Sequence, residues 1–491
     1  MKFKDSKIQK FKDSDMTVNV FKNARNLTVL VIAVVLAYPA NGQTCTCESN
    51  FEWVKKTFEE NDAGFQHIID KKGQDAYNLH NQLMLDKIRN AKILKECTEF
   101  LNEWLYFFRM CHIGVELLAK NDAVYELWEG DISQFEEYIN SKKGVDYEGI
   151  WEAKDYKIGI KKEGVNYVGF VIESEVDSWK TQGLVKFRIE PTGNKLKTVF
   201  YTRDHSFRNY DAEFVGNNHL IIGSYLLLTR VSPSFFADPL MEEYLQKTTR
   251  RELCLEELNT NTLYLRIPSF DPDEEKAINK LIASNRKKIL KTENLIIDLL
   301  DNGGGSDVSF QKLLPLIYTN PIHAESVEFL STPLNVQMLL DEATSKENNI
   351  LVRQMAKKMY KKMRNRLGEF VNISNDTIIT YRRRTVYQYP KNVGIIINDG
   401  CASTTEQFLL FAKQSAKVKL FGANTFGCLD ISNVNYVESP CKEFKLCYGT
   451  SRVLNIKDVA IDGIGICPDY YLDKTIPQYK WVEFVNDVLN Q

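Results

Sequence analysis

Leu295-Ile296-Ile297-Asp298-Leu299-Leu300-Asp301-Asn302-Gly303-Gly304-Gly305 runs from apolar residues through two aspartates into three consecutive glycines. The apolar part is too short for a stable helix and ends in a turn signal, so it predicts a short strand buried on both faces. Three glycines in a row carry a large conformational entropy cost. A backbone that must approach a ligand closely, or present its N–H groups, gives a reason for that cost. The alternatives are a flexible turn or a phosphate loop, and the latter lacks the Lys-Ser/Thr pair at the required spacing.

Outward from this strand the pattern repeats. Thr262 to Ile267 is a second short apolar segment, with a helical pattern over about Asp273 to Ile289 between the two. Val393 to Ile397 is a third, followed by a helix predicted over Thr405 to Ala416. Buried strands joined by helices predict an α/β layer structure.

The third strand leads into Asp399-Gly400-Cys401-Ala402-Ser403-Thr404-Thr405-Glu406. Turns at the carboxyl ends of buried strands are where α/β folds place their sites. A serine at this helix start meets the positive end of the helix dipole, and the N–H of Thr404 suits an oxyanion donor. The bland alternative is that Ser403 is simply a helix N-cap.

Before residue 259 the organisation differs. From Phe51 to Glu116 apolar residues recur at helical spacing, as in Phe100, Leu101, Trp104, Leu105 and Phe108, and predict a helical unit. Its last helix runs into Arg109-Met110-Cys111-His112, and Ile113 to Leu117 looks like a strand. Between Val145 and Val231 short alternating segments (Tyr156 to Ile160, Val165 to Ile172, Leu184 to Ile189, Leu220 to Leu228) predict a small β-rich domain. The basic stretch Met355 to Arg366 reads as a solvated helix face.

The 491 residues suggest two or three folded units, and 63 Lys plus Arg against 65 Asp plus Glu leave a formal charge of −2. No global field favours nucleic acid or an anionic membrane. Residues 1–43 follow the order of a secretory signal: a basic stretch ending in Lys22 and Arg25, an apolar run from Leu27 to Ala37, then small residues to Gln43. That apolar run is short of the ~20 residues a spanning helix needs, so cleavage and a soluble exported form are expected, periplasmic or extracellular. Ten cysteines in an exported chain permit disulfides, and Cys441 with Cys447 is the pairing expected. Paired short Cys-x-x-Cys motifs with nearby histidines are lacking, so no metal site is expected.

The two turns, with Phe421-Gly422-Ala423-Asn424-Thr425-Phe426-Gly427 and Gly465-Ile466-Cys467-Pro468-Asp469 behind them, resemble in order and spacing the S41 peptidases, the tail-specific and tricorn-like serine proteases. The resemblance spans about Asn259 to Asp473, with a looser match around His112. It implies a ClpP/crotonase-like α/β catalytic domain and peptide or protein substrates, without metal or organic cofactor. With it the chain divides into a signal (1–43), a helical domain contributing His112 (44–142), a β-rich domain (143–250) and a catalytic domain (251–491).

By the same resemblance Ser403 is the nucleophile, and the amides of Thr404 and of Gly304 or Gly305 form the oxyanion hole. The tail-specific branch has a lysine base 25 positions after its serine, but residue 428 is Cys. The tricorn-like branch uses an upstream histidine oriented with the help of an acid. His112 and Asp462 match those places, and an imidazole with an ordinary pKa near ~6.5 suits a general base at neutral pH. Cys111 in place of a serine, Asp462 in place of a glutamate and Leu300 in place of an arginine depart from the family pattern. No short carboxylate-binding loop of a PDZ module stands in the β-rich region. Two competing functions remain: a catalytically weak or inactive binding protein on the same scaffold, and a cysteine hydrolase using Cys428 or Cys401.

Overall fold

Both turns leave the same edge of one sheet. In the computed structural model, which describes residues 45–491 except 119–125, 154, 194, 204, 206, 224–225, 250–251, 349, 457–459 and 474, six strands form this sheet. Their order is Cys254–Asn259, Thr262–Arg266, Asn294–Asp298, Asn392–Ile397, Val418–Gly422 and Tyr470–Tyr471. The first pair is antiparallel and every later pair is parallel. Asp298 lies in register with Ile396, so the glycine turn and the serine turn emerge side by side from neighbouring parallel strands. The proposed signal, residues 1–43, lies outside the described residues.

The α/β layering follows from alternation within each strand. Leu295, Ile297, Val393, Ile395, Ile397 and Leu420 face a layer containing Ile278, Ile282 and Ile289 of helix Glu275–Ile289 and Phe408, Leu409 and Ala412 of helix Thr404–Ala412. Ile296, Leu300, Ile396 and Phe421 face the opposite layer, where Trp481 and Val485 of helix Trp481–Leu489 pack. Burial on both faces is why these strands read as continuous apolar runs. Leu300, where the family pattern has arginine, is fully buried in the second layer. Asp298 is instead neutralised by Arg266 at 2.7 Å and accepts a hydrogen bond from the Tyr264 hydroxyl at 2.6 Å.

A second sheet brings in the amino-terminal helices. Its long strand Phe444–Val453 pairs with Ile431–Glu438, Val327–Leu330 and Gly114–Leu117. The helices Cys47–Asn61, Gln74–Arg89 and Leu94–Tyr106 share one core with Phe444, Leu446 and Tyr448 of that strand. The early helical segment is therefore fastened onto the last third of the chain. Residues 149–232 form a closed barrel of eight consecutive antiparallel strands around Trp151, Ile158, Ile160, Phe187 and Leu228. The expected single strand Leu220 to Leu228 is two, His219–Ile222 and Leu226–Ser232, because Gly223 at φ +56° turns the chain between them.

Three disulfides join Cys45 to Cys441, Cys47 to Cys97 and Cys111 to Cys428. The expected Cys441–Cys447 bond is not formed. Glu438 pairs with Lys445 in the hairpin, which leaves Cys441 in the turn and Cys447 inside the strand, opposite Gly114 on one side and Tyr436 on the other. Among the described residues no helix is long and apolar enough to cross a membrane.

Candidate active site

Ser403 sits between strand Asn392–Ile397 and helix Thr404–Ala412 with φ +56° and ψ −121°. A non-glycine residue held there carries strain of order 1–3 kcal/mol. The neighbouring loop supplies the restraint. Ala402 N–H donates to the Asn302 carbonyl at 3.2 Å, and the Thr405 hydroxyl donates to Asn302 Oδ1 at 2.8 Å. Asp301 and Asn398 lock the two strand ends together, with Asn398 Nδ2 donating to Asp301 Oδ1 at 2.9 Å.

The glycines are required by this close approach. A Cβ on Gly304 would lie 2.7 Å from the Ala402 carbonyl oxygen and 2.9 Å from both Ser403 Cβ and Thr404 N. One on Gly305 would lie 2.3 Å from the Phe270 carbonyl oxygen. Of the three amides expected to form an oxyanion hole, Gly304 N–H is engaged by Asn302 Oδ1 at 3.1 Å. The amides of Gly305 and Thr404 have no hydrogen-bond partner among the described residues, so they are the two left for an oxyanion. The Thr404 hydroxyl, donating to the Gly305 carbonyl at 3.0 Å, holds these two residues together.

Glu406 organises the site, and sequence reasoning assigned it no role. Its fully buried carboxylate accepts from Ser403 N–H at 3.1 Å, Thr425 Oγ1 at 2.5 Å, Gly427 N–H at 2.8 Å and Cys428 N–H at 2.7 Å. Burial raises its pKa above the usual carboxylate value, opposed by these four donors. Thr425 Oγ1 in turn accepts from Ile466 N–H at 2.7 Å, so the Thr425 hydroxyl ties the Gly465-Ile466 segment to the Glu406 carboxylate and the serine turn.

Through this carboxylate the structure brings His112 to the neighbourhood of Ser403. Cys428, whose amide shares Glu406 Oε2 with the amide of Ser403, has its sulfur 3.5 Å from His112 Nδ1 and 3.6 Å from Nε2. Cys428 is also bonded to Cys111, the residue before His112. His112, like Ser403, is held at positive φ, +53°. Its Nδ1 lies 2.5 Å from the Ile431 carbonyl oxygen. A carbonyl only accepts, so Nδ1 carries the proton and Nε2 keeps the basic lone pair. Burial lowers the His112 pKa below the ordinary imidazole value, opposed by the Ile431 carbonyl and by the charge of Asp462.

Asp462 does not hydrogen-bond His112. Its Oδ1 accepts the amides of Leu429 at 2.6 Å and Asp430 at 2.8 Å, and the Ile431 carbonyl holds the imidazole instead. Asp430 reciprocates, its Oδ2 accepting the amides of Ile461 and Asp462, each at 2.8 Å. Its Oδ1 is buried without a partner, and burial pushes its pKa up to about 6. Cys401 is fully buried, its thiol donating to the Leu299 carbonyl at 3.0 Å, and burial raises its pKa strongly. With Cys428 in a disulfide, neither sulfur is an available thiolate. Contrary to the expectation that no histidine lies near paired cysteines, Cys111, His112 and Cys428 bring their ligand-type atoms within 4.8 Å of one another. The two sulfurs, however, are bonded to each other.

Residues 261–472 match the family model described as Peptidase family S41. Among solved structures, mature CPAF is similar at a TM-score of 0.50 and 15% identity, covering 90% of this chain and 96% of that one. A putative peptidase from Parabacteroides merdae matches at TM-score 0.41 and 13% identity, covering 91% and 98% of the two chains. The photosystem II D1 C-terminal processing protease matches at 0.38 and 12%, again covering 91% and 98%. None of the curated proteins matches the sequence.

Proposed function

Starting from a chain whose residues 261–472 belong to peptidase family S41 and which is therefore a serine-type peptidase, we propose that it cleaves exported proteins or peptides through an acyl-enzyme on Ser403, with His112 as base. The observation that carries this is the Glu406 carboxylate, which binds the backbone of the nucleophile turn and the backbone beside His112 at once. Neutral Nε2 of His112 takes the Ser403 proton as Oγ attacks the carbonyl carbon. The amides of Gly305 and Thr404 stabilise the oxyanion, and the same Nε2 returns the proton to the leaving amine. Water repeats the sequence and releases the acid.

His112 becomes cationic in passing, and the charge of Asp462 favours that form. Asp462 thereby acts through its charge rather than as a hydrogen-bonding orienter. Three disulfides support export to an oxidising compartment.

A fluorophosphonate probe tests the assignment. Labelling of the folded chain is expected to vanish in Ser403→Ala and to fall by roughly 10²–10⁴-fold in His112→Ala, the range of a general base. Absence of labelling in folded wild-type protein would point to a non-hydrolytic binding protein.

A further inference from the structure

We infer that the Cys111–Cys428 disulfide is a positioning device for the base, and that its reduction switches the peptidase down without unfolding it. The inference rests on His112 being the base. His112 is delivered from a different part of the chain than the serine: it follows the helix Leu94–Tyr106 and precedes strand Gly114–Leu117, whereas Ser403 starts helix Thr404–Ala412 and Cys428 lies in the loop between strands Val418–Gly422 and Ile431–Glu438. A hydroxyl and an imidazole so delivered react only if their separation is held within a fraction of an ångström.

Three restraints fix the ring. Its Nδ1 bonds the Ile431 carbonyl at 2.5 Å, Arg109 Nη2 donates to the His112 carbonyl at 3.3 Å, and the covalent bond at the preceding residue ties it to Cys428. Only the last connects His112 directly to the segment whose amides are bound by Glu406, and hence to the serine turn. The ring packs against the Cys428 sulfur through both nitrogens, at 3.5 and 3.6 Å, so the sulfur also shields it from water. The left-handed φ of +53° at His112 is a conformation that surrounding structure must impose.

The other two disulfides join the amino-terminal helices to each other and to the turn at Cys441. Neither touches His112. Cys428 is buried but Cys111 is partly exposed, which gives a thiolate a sulfur to attack. A dithiol reductant supplies two electrons and two protons: its thiolate bonds to one sulfur, its second thiol displaces it, and the products are two cysteine thiols and the oxidised, cyclic reductant. Freed of the bond, the Cys111-His112 segment relaxes towards an ordinary backbone conformation, the ring gains water, and its pKa rises towards the usual imidazole value.

The experiment compares wild type with the double variant Cys111→Ser/Cys428→Ser on a fluorogenic peptide, with EDTA throughout so that no metal captured by free thiols affects the result. The double variant is expected to lose about 10²-fold in kcat with KM changed by less than about threefold, the signature of misplacement rather than lost binding. The acid limb of its kcat/KM profile is expected to move to higher pH, which a merely structural tie would not cause. Dithiothreitol is expected to lower the wild-type rate to the level of the double variant, reversibly, and to leave the variant itself unaffected. If the variant does not fold, the reduced wild type is used instead, with circular dichroism at the assay temperature confirming that it remains folded. Wild-type kcat and an unmoved pH limb in the double variant or the folded, reduced chain, or equal thiol sensitivity of variant and wild type, would overturn the inference. Failure of the base assignment is distinguishable, because His112→Ala would then retain activity.

Discussion

Replacing Gly304 by alanine gives the sharpest test of the way the two turns lock together. The added methyl would stand 2.7 Å from the Ala402 carbonyl oxygen and 2.9 Å from Ser403 Cβ and Thr404 N. All three are backbone or backbone-proximal atoms that cannot swing aside as a long side chain would. Gly304 also has φ +102°, a conformation costing an L side chain about 1–3 kcal/mol. Relieving the overlap requires the serine turn to move away from the glycine loop by several tenths of an ångström. Overpacking of this kind adds a further ~1–3 kcal/mol. The expected result is a folded protein with a depressed melting temperature, about 10²-fold lower kcat, and a fluorophosphonate labelling rate reduced to match. Gly303→Ala is the control, since a Cβ there meets no atom within 4 Å, and it should retain wild-type kinetics to within about twofold. A folded Gly304→Ala variant labelled as fast as the Gly303→Ala control would refute the claim that the glycine loop abuts the nucleophile.

Three more outcomes follow from the same geometry. Glu406→Gln places an amide NH₂ against N–H donors, so it should cost about 3–5 kcal/mol by chemical denaturation and reduce kcat even where the protein remains folded; a stable, fully active variant would show that the carboxylate is dispensable. Asp462→Asn keeps an oxygen for the two backbone amides but removes the charge that raises the His112 pKa, so the acid limb of kcat/KM should shift to lower pH, from a wild-type position already below the ordinary imidazole value. Asp430 is protonated more readily folded, at about 6, than at its ordinary value of 3.8. The folded state therefore holds the extra proton between those values, and stability should fall by about 3 kcal/mol as pH rises through that window. That slope should vanish from the denaturation profile of Asp430→Asn.

Much of the catalytic layer was legible because both faces of its strands are buried. Leu295 to Leu300 and Val393 to Ile397 have no other plausible use, and the turns that follow them carry glycine and serine where an α/β sheet displays its chemistry. The Ile431 carbonyl that holds His112 was not legible, since a backbone acceptor has no identity in the sequence. Asp462 looked like the orienting acid because its type and place fitted, yet its oxygen is spent on the amides of Leu429 and Asp430. The cysteine pairing failed for a related reason. Residues 441 and 447 are close along the chain, but sheet register separates them, whereas Cys111 and Cys428 are 317 positions apart and meet only through the second sheet. Glu406 was visible as part of a motif, but its four donors come from the serine turn and from Thr425 to Cys428, two segments that only folding brings together.

The bond between Cys45 and Cys441 spans 396 positions, and it has a consequence for how the protein survives damage. A protease that nicks a surface loop anywhere inside that span, such as the basic stretch Arg382-Arg383-Arg384, produces two polypeptides that remain one molecule. They travel as a single species on a gel run without reductant and separate once it is added.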